Sequence, residues 1–420
     1  MIGLQVGNYV IPFLTFPYLT RTLGVQSFGG YALALAVAMY LVLVTDWGFA
    51  FTAPSQISRE RDDKELVSTI FWSVLFAKIA LGVATLTLFY GAIALVPPLR
   101  AMSLLMVAAS GLVVANILTV NWCLQGLERM GAFAIASVIG RGCTVPATFL
   151  LVHGQDDAWL AALIQAGGSA VGGGISIFLL MRLGAIGRPI FRPTFIIAQI
   201  REAMPLFLSS IAVNIYTSTN MIVLGMLHGP AAVGLYAPAD RLRMAAQAVI
   251  PPISQAVYPR VSRLFSESRA HGIEFSQHLL VVLGMATFVG SILLFIVAKP
   301  LVTLIAGPMF AEAVPVLRWL ALVPLMVAIN TVLGMQMMLP LGMNKSFSRI
   351  LIRAALLDLV LIVPLSWYFG AQGTAIAVLL AELWVVGDMA FQLRRAGISV
   401  LPKGGITREL LRGILHRMKQ

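Results

Sequence analysis

Twelve runs of mostly apolar residues follow one another through this chain, near 2–20, 29–52, 69–95, 101–122, 132–152, 158–181, 205–226, 232–256, 278–298, 314–340, 350–369 and 372–392. Each is about the 20 residues that a helix needs to cross a hydrocarbon core. The connections between them are short and polar, and none is long enough to fold as a soluble domain. The fold class this predicts is an all-α polytopic membrane protein of about 12 transmembrane helices. With 59% hydrophobic and 11% charged residues, against about 45–50% and 25% in soluble domains, a soluble enzyme is excluded.

The net charge of +12 would in a soluble protein raise nucleic-acid binding, but here most cations sit in short loops, where the positive-inside rule accounts for them. Twenty lie in one set of alternate loops and the tail, and only Arg21, Arg100 and Lys299 in the other. Both termini are therefore expected in the cytoplasm. The start of the chain lacks the basic lead of a cleaved signal peptide and reads as a retained first helix. Cys123 and Cys143 show no metal or redox spacing and are expected as free thiols.

Shifting the sequence by 205 residues superimposes Gly24-x4-Gly29-x-Tyr31-Ala32-x-Ala34 on Gly229-x4-Gly234-x-Tyr236-Ala237-x-Ala239 without a gap. With six crossings per half, the two halves start on the same side, so the repeat is parallel, about an axis along the membrane normal. The organisation expected is an N-terminal six-helix lobe at 1–181, a basic linker at 182–204 stiffened by Pro189 and Pro193, a C-terminal lobe at 205–392 and a basic tail at 393–420. Span 7 has a basic lead-in that span 1 lacks, which reads as a chain trimmed or begun late.

Pro12, Pro17-Tyr18-Leu19, Leu23-Gly24, Phe28-Gly29-x-Tyr31, Thr45-Asp46-Trp47-Gly48-Phe49 and the loop Ser58–Glu65 form a recognisable pattern. So do Trp122-x2-Gln125-Gly126-x-Glu128-Arg129, Val233-Gly234-Leu235-Tyr236-Ala237-Pro238-Ala239 and Pro251-x2-Ser254-Gln255-Ala256-x2-Pro259-Arg260. Together they resemble the Wzx-type polysaccharide-repeat flippases of the multidrug/oligosaccharidyl-lipid/polysaccharide exporter superfamily, over residues 4 to about 390. The resemblance implies two six-helix bundles forming a V around a central cavity, with alternating access. It also implies a cargo of an oligosaccharide unit on a polyprenyl-pyrophosphate carrier, moved from the cytoplasmic to the periplasmic leaflet of a bacterial inner membrane for surface polysaccharide assembly. Membrane lipids are expected around it, and a polysaccharide polymerase and a chain-length regulator are the candidate protein partners. The alternatives are a cation-coupled small-molecule exporter of the same superfamily and, from a different class, a membrane polysaccharide polymerase. The short outward loops argue against an enzyme.

Charges inside crossing helices cost about 2.5–3.5 kcal/mol on insertion scales and are functional candidates by default. Lys78 and Arg141 lie about ten residues into their spans, too deep for easy snorkelling, and Arg241 and Arg243 lie in span 8 beside Asp240. Guanidinium and ammonium groups suit phosphate oxygens, so Lys78, Arg141, Arg241 and Arg243 are the candidate lining of a cationic cavity. Asp240 and Arg243 share a helix face, and a structural pair between them is the competing reading. Arg318 and Arg353 lie near span ends and can snorkel. Asn214, Tyr216 and Asn220, within the polar run 214–220, are candidates for facing sugar hydroxyls, interhelical hydrogen bonding being the alternative. Asp46 and Glu382 are candidates for gating or ion coupling. No cofactor or metal is expected beyond a coupling Na+ or H+. His153, Asp156 and Asp157 are expected to form a solvated outward turn, and the small-residue run of span 6 to serve close helix packing. Pro251 and Pro252 are expected to kink span 8.

Overall fold

The computed structural model describes residues 2–402, with side chains from Phe13 onward except Ala212, Val213, Ile215, Tyr216 and Thr217. Among these residues every regular element is helical, and nine stretches are long and apolar enough to cross a membrane. Many large apolar side chains point outward, among them Leu88, Leu95, Met226 and Trp367. That surface would aggregate in water and is at home in lipid.

Three of the longest helices, Ile2–Asp46, Pro193–Gln247 and Asn344–Arg395, are each interrupted by one glycine. Straight, the 52 residues of Asn344–Arg395 would run about 78 Å at 1.5 Å per residue, far beyond a bilayer core. The chain instead reverses at Gly370. The Ser366 and Thr374 hydroxyls lie 2.8 Å apart, a distance that eight residues of straight helix would stretch to about 12 Å. Gly24 and Gly229, 205 residues apart, adopt nearly the same backbone, φ 70°, ψ 178° and φ 76°, ψ −174°. Side-chain-bearing residues avoid that region, so the repeat seen in the sequence is a repeat of geometry as well.

The chain divides into two compact units, Met1–Gly234 with Ile305–Gly307, and Leu235–Leu304 with Pro308–Gln420. In the first, helices cross on small residues. A Cβ at Gly140 of Met130–Gly142 would meet the Gly168 carbonyl and Gly172 Cα of Ala158–Arg182, both at 2.7 Å. Close backbone approach is what small residues provide in membranes, and it accounts for Gly168, Gly172 and Gly173 of the span 6 run, whereas a Cβ at Gly167 or Gly174 would meet open space.

The same unit holds a reciprocal contact between equivalent positions of the repeat. A Cβ at Gly29 would lie 1.9 Å from the Pro230 carbonyl oxygen, and one at Gly234 would lie 2.0 Å from that of Val25. The shift of 205 carries Gly29 onto Gly234 and Val25 onto Pro230. The two helix starts therefore pack by the same surface on both sides, as in an isologous interface.

Two expected spans end earlier than the hydropathy suggests. Trp47 (φ 48°) and Gly48 (φ 84°) stop the second crossing, and a separate amphipathic helix, Phe49–Arg59, follows with Phe49, Thr52, Ala53 and Ile57 buried. Pro251 and Pro252 open a new helix, Ile250–Glu267, instead of bending span 8. Proline is favoured in a first turn because the amide hydrogens there have no intrahelical partner.

In the second unit, Val323–Thr331 widens into a π-helix at Val332–Met338. The fully buried Gln336 lies on it, donating to the Ser254 carbonyl (3.1 Å) and hydroxyl (2.8 Å) while its own backbone carbonyl accepts from Ser276 (3.0 Å). Ser254, one of the motif residues, thus ties Ile250–Glu267 to the π-helix.

Candidate functional site

Each unit buries one charged cluster. In the first, Lys78 points from the middle of Lys64–Leu95 into the bundle and is 1% exposed. Asp63 sets that helix's start by accepting from the Glu65 and Leu66 amides, both at 3.0 Å, the exposed N-cap arrangement. Lys78 Nζ donates 2.9 Å to the Asn116 carbonyl and 3.3 Å to Asp46 Oδ1. The break at Trp47-Gly48 leaves Asp46 as the last residue of its helix, and its side chain keeps 23% exposure. The buried ammonium is thereby compensated by an acid 32 positions away.

Trp47 locks this corner. Its ring stacks on Phe207 with centroids 3.9 Å apart, and Nε1 donates to the Ile200 carbonyl at 3.0 Å. The motif residue Gly126 lets its helix lie against Ile57 and Pro54, with 2.8 Å available to a Cβ at the nearest atom. These family-like residues have packing roles, which is why they mark the fold more than the cargo.

Arg141 behaves differently from Lys78. It sits in the last turn of Met130–Gly142 with an exposed side chain and makes no ion pair among the described residues.

In the second unit, Arg243 donates through Nε to Asp240 Oδ1 (2.8 Å) and through a terminal nitrogen to Gln247 Oε1 (2.7 Å). The Asp240–Arg243 pair is one helical turn long, as their spacing allows. Arg241, two residues before Arg243, is half-buried. Glu382 accepts from Asn330 Nδ2 and acts electrostatically on Arg243 and Asp358. Asp358 is buried, and neither of its oxygens finds a hydrogen-bond partner among the described residues. A buried carboxylate without partners is costly when ionised, so this group of two acids and an amide can hold a proton or accept a small cation.

The polar run of span 7 is used within the protein in part. Tyr40 donates to the Asn214 carbonyl (2.9 Å) and shares a 2.6 Å hydrogen bond with Thr219, while Asn214 Nδ2 returns to Ser210 on its own helix. Asn220 is buried, its Oδ1 finding no hydrogen-bond partner among the described residues. Tyr216 lies outside the described side chains, as does Pro12, and the tail from residue 403 lies outside the described residues. Arg318 stacks its guanidinium over Phe295 at 5.4 Å, and Arg353 approaches Asp388 at 3.7 Å. Among the described residues no group of three or more metal-ligating side chains occurs. Asp157 caps its own turn, accepting from the His153 and Gly154 amides at 2.8 and 2.9 Å.

Tyr40, Asn116, Asn330 and Gln336 did not stand out in the sequence. Each is a polar residue within an apolar run, and only the contacts it makes in the fold single it out.

A family profile described as polysaccharide biosynthesis protein matches residues 1–265. An Escherichia coli K12 protein named "Putative O-antigen transporter" is 33% identical over 396 residues, 94% of this chain and 95% of its own. A Shigella dysenteriae protein of the same name is 33% identical over 90% of this chain and 94% of its own. The succinoglycan biosynthesis transport protein ExoT of Rhizobium meliloti is 26% identical, over 76% of this chain and 63% of its own. Among solved structures, an inward-facing multidrug resistance MATE family transporter of the MOP superfamily superposes with TM-score 0.71 at 16% identity, covering 94% and 95% of the two chains. The lipid II flippase MurJ superposes with TM-score 0.68 at 15% identity, covering 94% and 88%. At such identities the likeness is one of fold.

Proposed function

The chain belongs to the polysaccharide biosynthesis protein family, and from that premise we propose that it flips polyprenyl-pyrophosphate-linked oligosaccharide repeat units from the cytoplasmic to the periplasmic leaflet. The observation that carries this reading is the 33% identity to an O-antigen transporter extending over 94% of this chain and 95% of the other. The relatives are transporters by name, and the chain is a transporter, not an enzyme. The distribution of loop cations supports an inner-membrane protein with both termini in the cytoplasm. We propose twelve crossings, each glycine-broken helix being counted as two. A polymerase and a chain-length regulator are its proposed partners, since translocated units must be joined and their number limited.

Moving a doubly charged pyrophosphate through a low-dielectric slab requires cations that are not already spent. Arg141, exposed and in no ion pair among the described residues, is the residue we propose for that contact in the first unit, and Arg241 is proposed as a cavity-lining cation of the second. Lys78 and Arg243 reach cargo only by sharing a charge that Asp46 and Asp240 already balance. Asn214, Tyr216 and Asn220 are proposed for sugar hydroxyls, Asp46 for gating, and Glu382 with Asp358 for coupling to Na+ or H+.

Deleting the gene tests the function. Complete repeat units should accumulate on their carrier, facing the cytoplasm, with surface polysaccharide lost. Unpolymerised units facing the periplasm would instead mark a polymerase and overturn the proposal. Arg141→Ala should leave protein abundance unchanged, because an exposed side chain in no ion pair among the described residues contributes within about 0.5 kcal/mol, yet lower surface polysaccharide at least tenfold. Wild-type polysaccharide in that variant would remove Arg141 from the transport path.

A further inference from the structure

Because Asn344–Arg395 reverses at Gly370, residues equally far from the turn lie side by side. Arg353 is 17 residues before it and Asp388 18 after it. Between these two arms lies a cavity of about 300 Å³ lined by Ser346, Arg349, Arg353, Asp388, Gln392 and Arg395. Three guanidinium groups face one carboxylate there, so the cavity carries two uncompensated positive charges.

Their existing contacts are weak. Arg349 reaches the Lys345 carbonyl at 3.3 Å and the Ser346 hydroxyl at 3.4 Å. Arg353 stands 3.7 Å from Asp388, outside hydrogen-bonding distance, and is 55% exposed. Arg395 makes no ion pair among the described residues. Snorkelling explains single arginines at a helix end. It does not explain three brought together from two arms, which repel one another unless an anion joins them.

The surroundings indicate what kind of anion. Ile352, Leu356, Val360, Val363 and Trp367 are exposed and recur every three or four residues, continuing the face that Arg349 and Arg353 begin. From Arg353 to Trp367 this stripe runs about 21 Å at 1.5 Å per residue, most of the depth of a bilayer core. A charged pocket at the head of a long apolar track fits a lipid whose headgroup bears phosphate. Two excess charges and three planar forks suit a diphosphate, with its greater charge and its several free oxygens, better than a phosphodiester carrying one charge.

We infer that this pocket binds the diphosphate headgroup of a prenyl lipid, with the chain lying along the apolar stripe. As a loading position for cargo the site rests on the flipping function proposed above; as a diphosphate site it stands on its own geometry.

The test is equilibrium binding of labelled geranylgeranyl diphosphate to the purified full-length protein in detergent. Arg349→Ala/Arg353→Ala should weaken binding at least tenfold. Arg349→Lys/Arg353→Lys, which keeps the charge and guards against a folding defect, should weaken it less. Phosphatidylglycerol at equal concentration should compete poorly. Unchanged binding in the alanine variant, or equal competition by phosphatidylglycerol, overturns the inference. If diphosphate binding is arginine-dependent but the deletion strain accumulates no lipid-linked units, the pocket stands and the cargo assignment falls.

Discussion

Lys78→Ala is expected to remove most of the protein from the membrane. The substitution leaves Asp46 without its counter-ion, and breaking a buried pair from one side costs up to about 3–5 kcal/mol, a cost lowered here by the 23% exposure of the Asp46 side chain yet still a large share of the stability of a typical domain. It also removes the hydrogen bond that the Asn116 carbonyl accepts from Lys78 at 2.9 Å, leaving that oxygen the Thr119 amide at 3.2 Å. Replacing both partners should be far milder, since a buried pair exchanged for neutral groups of similar volume is often neutral in stability. Lys78→Met/Asp46→Asn is therefore expected to recover abundance close to wild type. Quantitative immunoblots of membranes alongside surface polysaccharide separate the two roles open to Lys78. Recovery of both assigns it to holding the fold, and recovery of abundance alone assigns it to cargo or gating. If Lys78→Ala accumulates normally, the ion pair does not stabilise the protein.

The second large effect is expected at Gly29. Its missing Cβ would sit 1.9 Å from the Pro230 oxygen, 2.5 Å from the Gly234 nitrogen and 2.8 Å from its Cα. All three are backbone atoms of another helix, which cannot swing aside as a side chain can. Gly29→Val should abolish transport and reduce abundance, because overpacking costs about 1–3 kcal/mol where atoms can shift and here the helices themselves must part. Gly30→Ala is the control. A Cβ there meets the flexible end of Met102 at 3.0 Å and Leu105 at 3.3 Å, so growth and polysaccharide should stay near normal. Equal tolerance of both substitutions would mean that the helices do not approach as closely as described.

What the sequence discloses is governed by range. Crossing helices are legible because each is decided locally, by about 20 apolar residues in a row. The Asp240–Arg243 pair is legible because three residues make one helical turn. Asp46 and Lys78 are each visible as unusual charges, but their pairing is not, since only tertiary packing brings residues 32 apart together. The pocket of Arg349, Arg353 and Arg395 hides for the same reason. Arg349 and Arg353 stand one turn apart on one arm, and Arg395 reads as an ordinary tail cation until the reversal at Gly370 places it beside them. Averaging over a window also conceals short features. Phe49–Arg59 is apolar enough along one face to merge with the crossing before it, and only the left-handed backbone at Trp47 and Gly48 separates them.

The paired approach of Gly29 to Pro230 and of Gly234 to Val25 has a consequence for ancestry. A polypeptide of half this length would carry one such glycine and one such carbonyl, and two copies could meet through them in the same way. Fusing those copies would preserve the handshake while freeing each side to diverge, which is where the chain now stands: valine faces one glycine and proline the other. On that history the glycines are the part of the seam that duplication could not relax, because each is held in place by the other half's main chain.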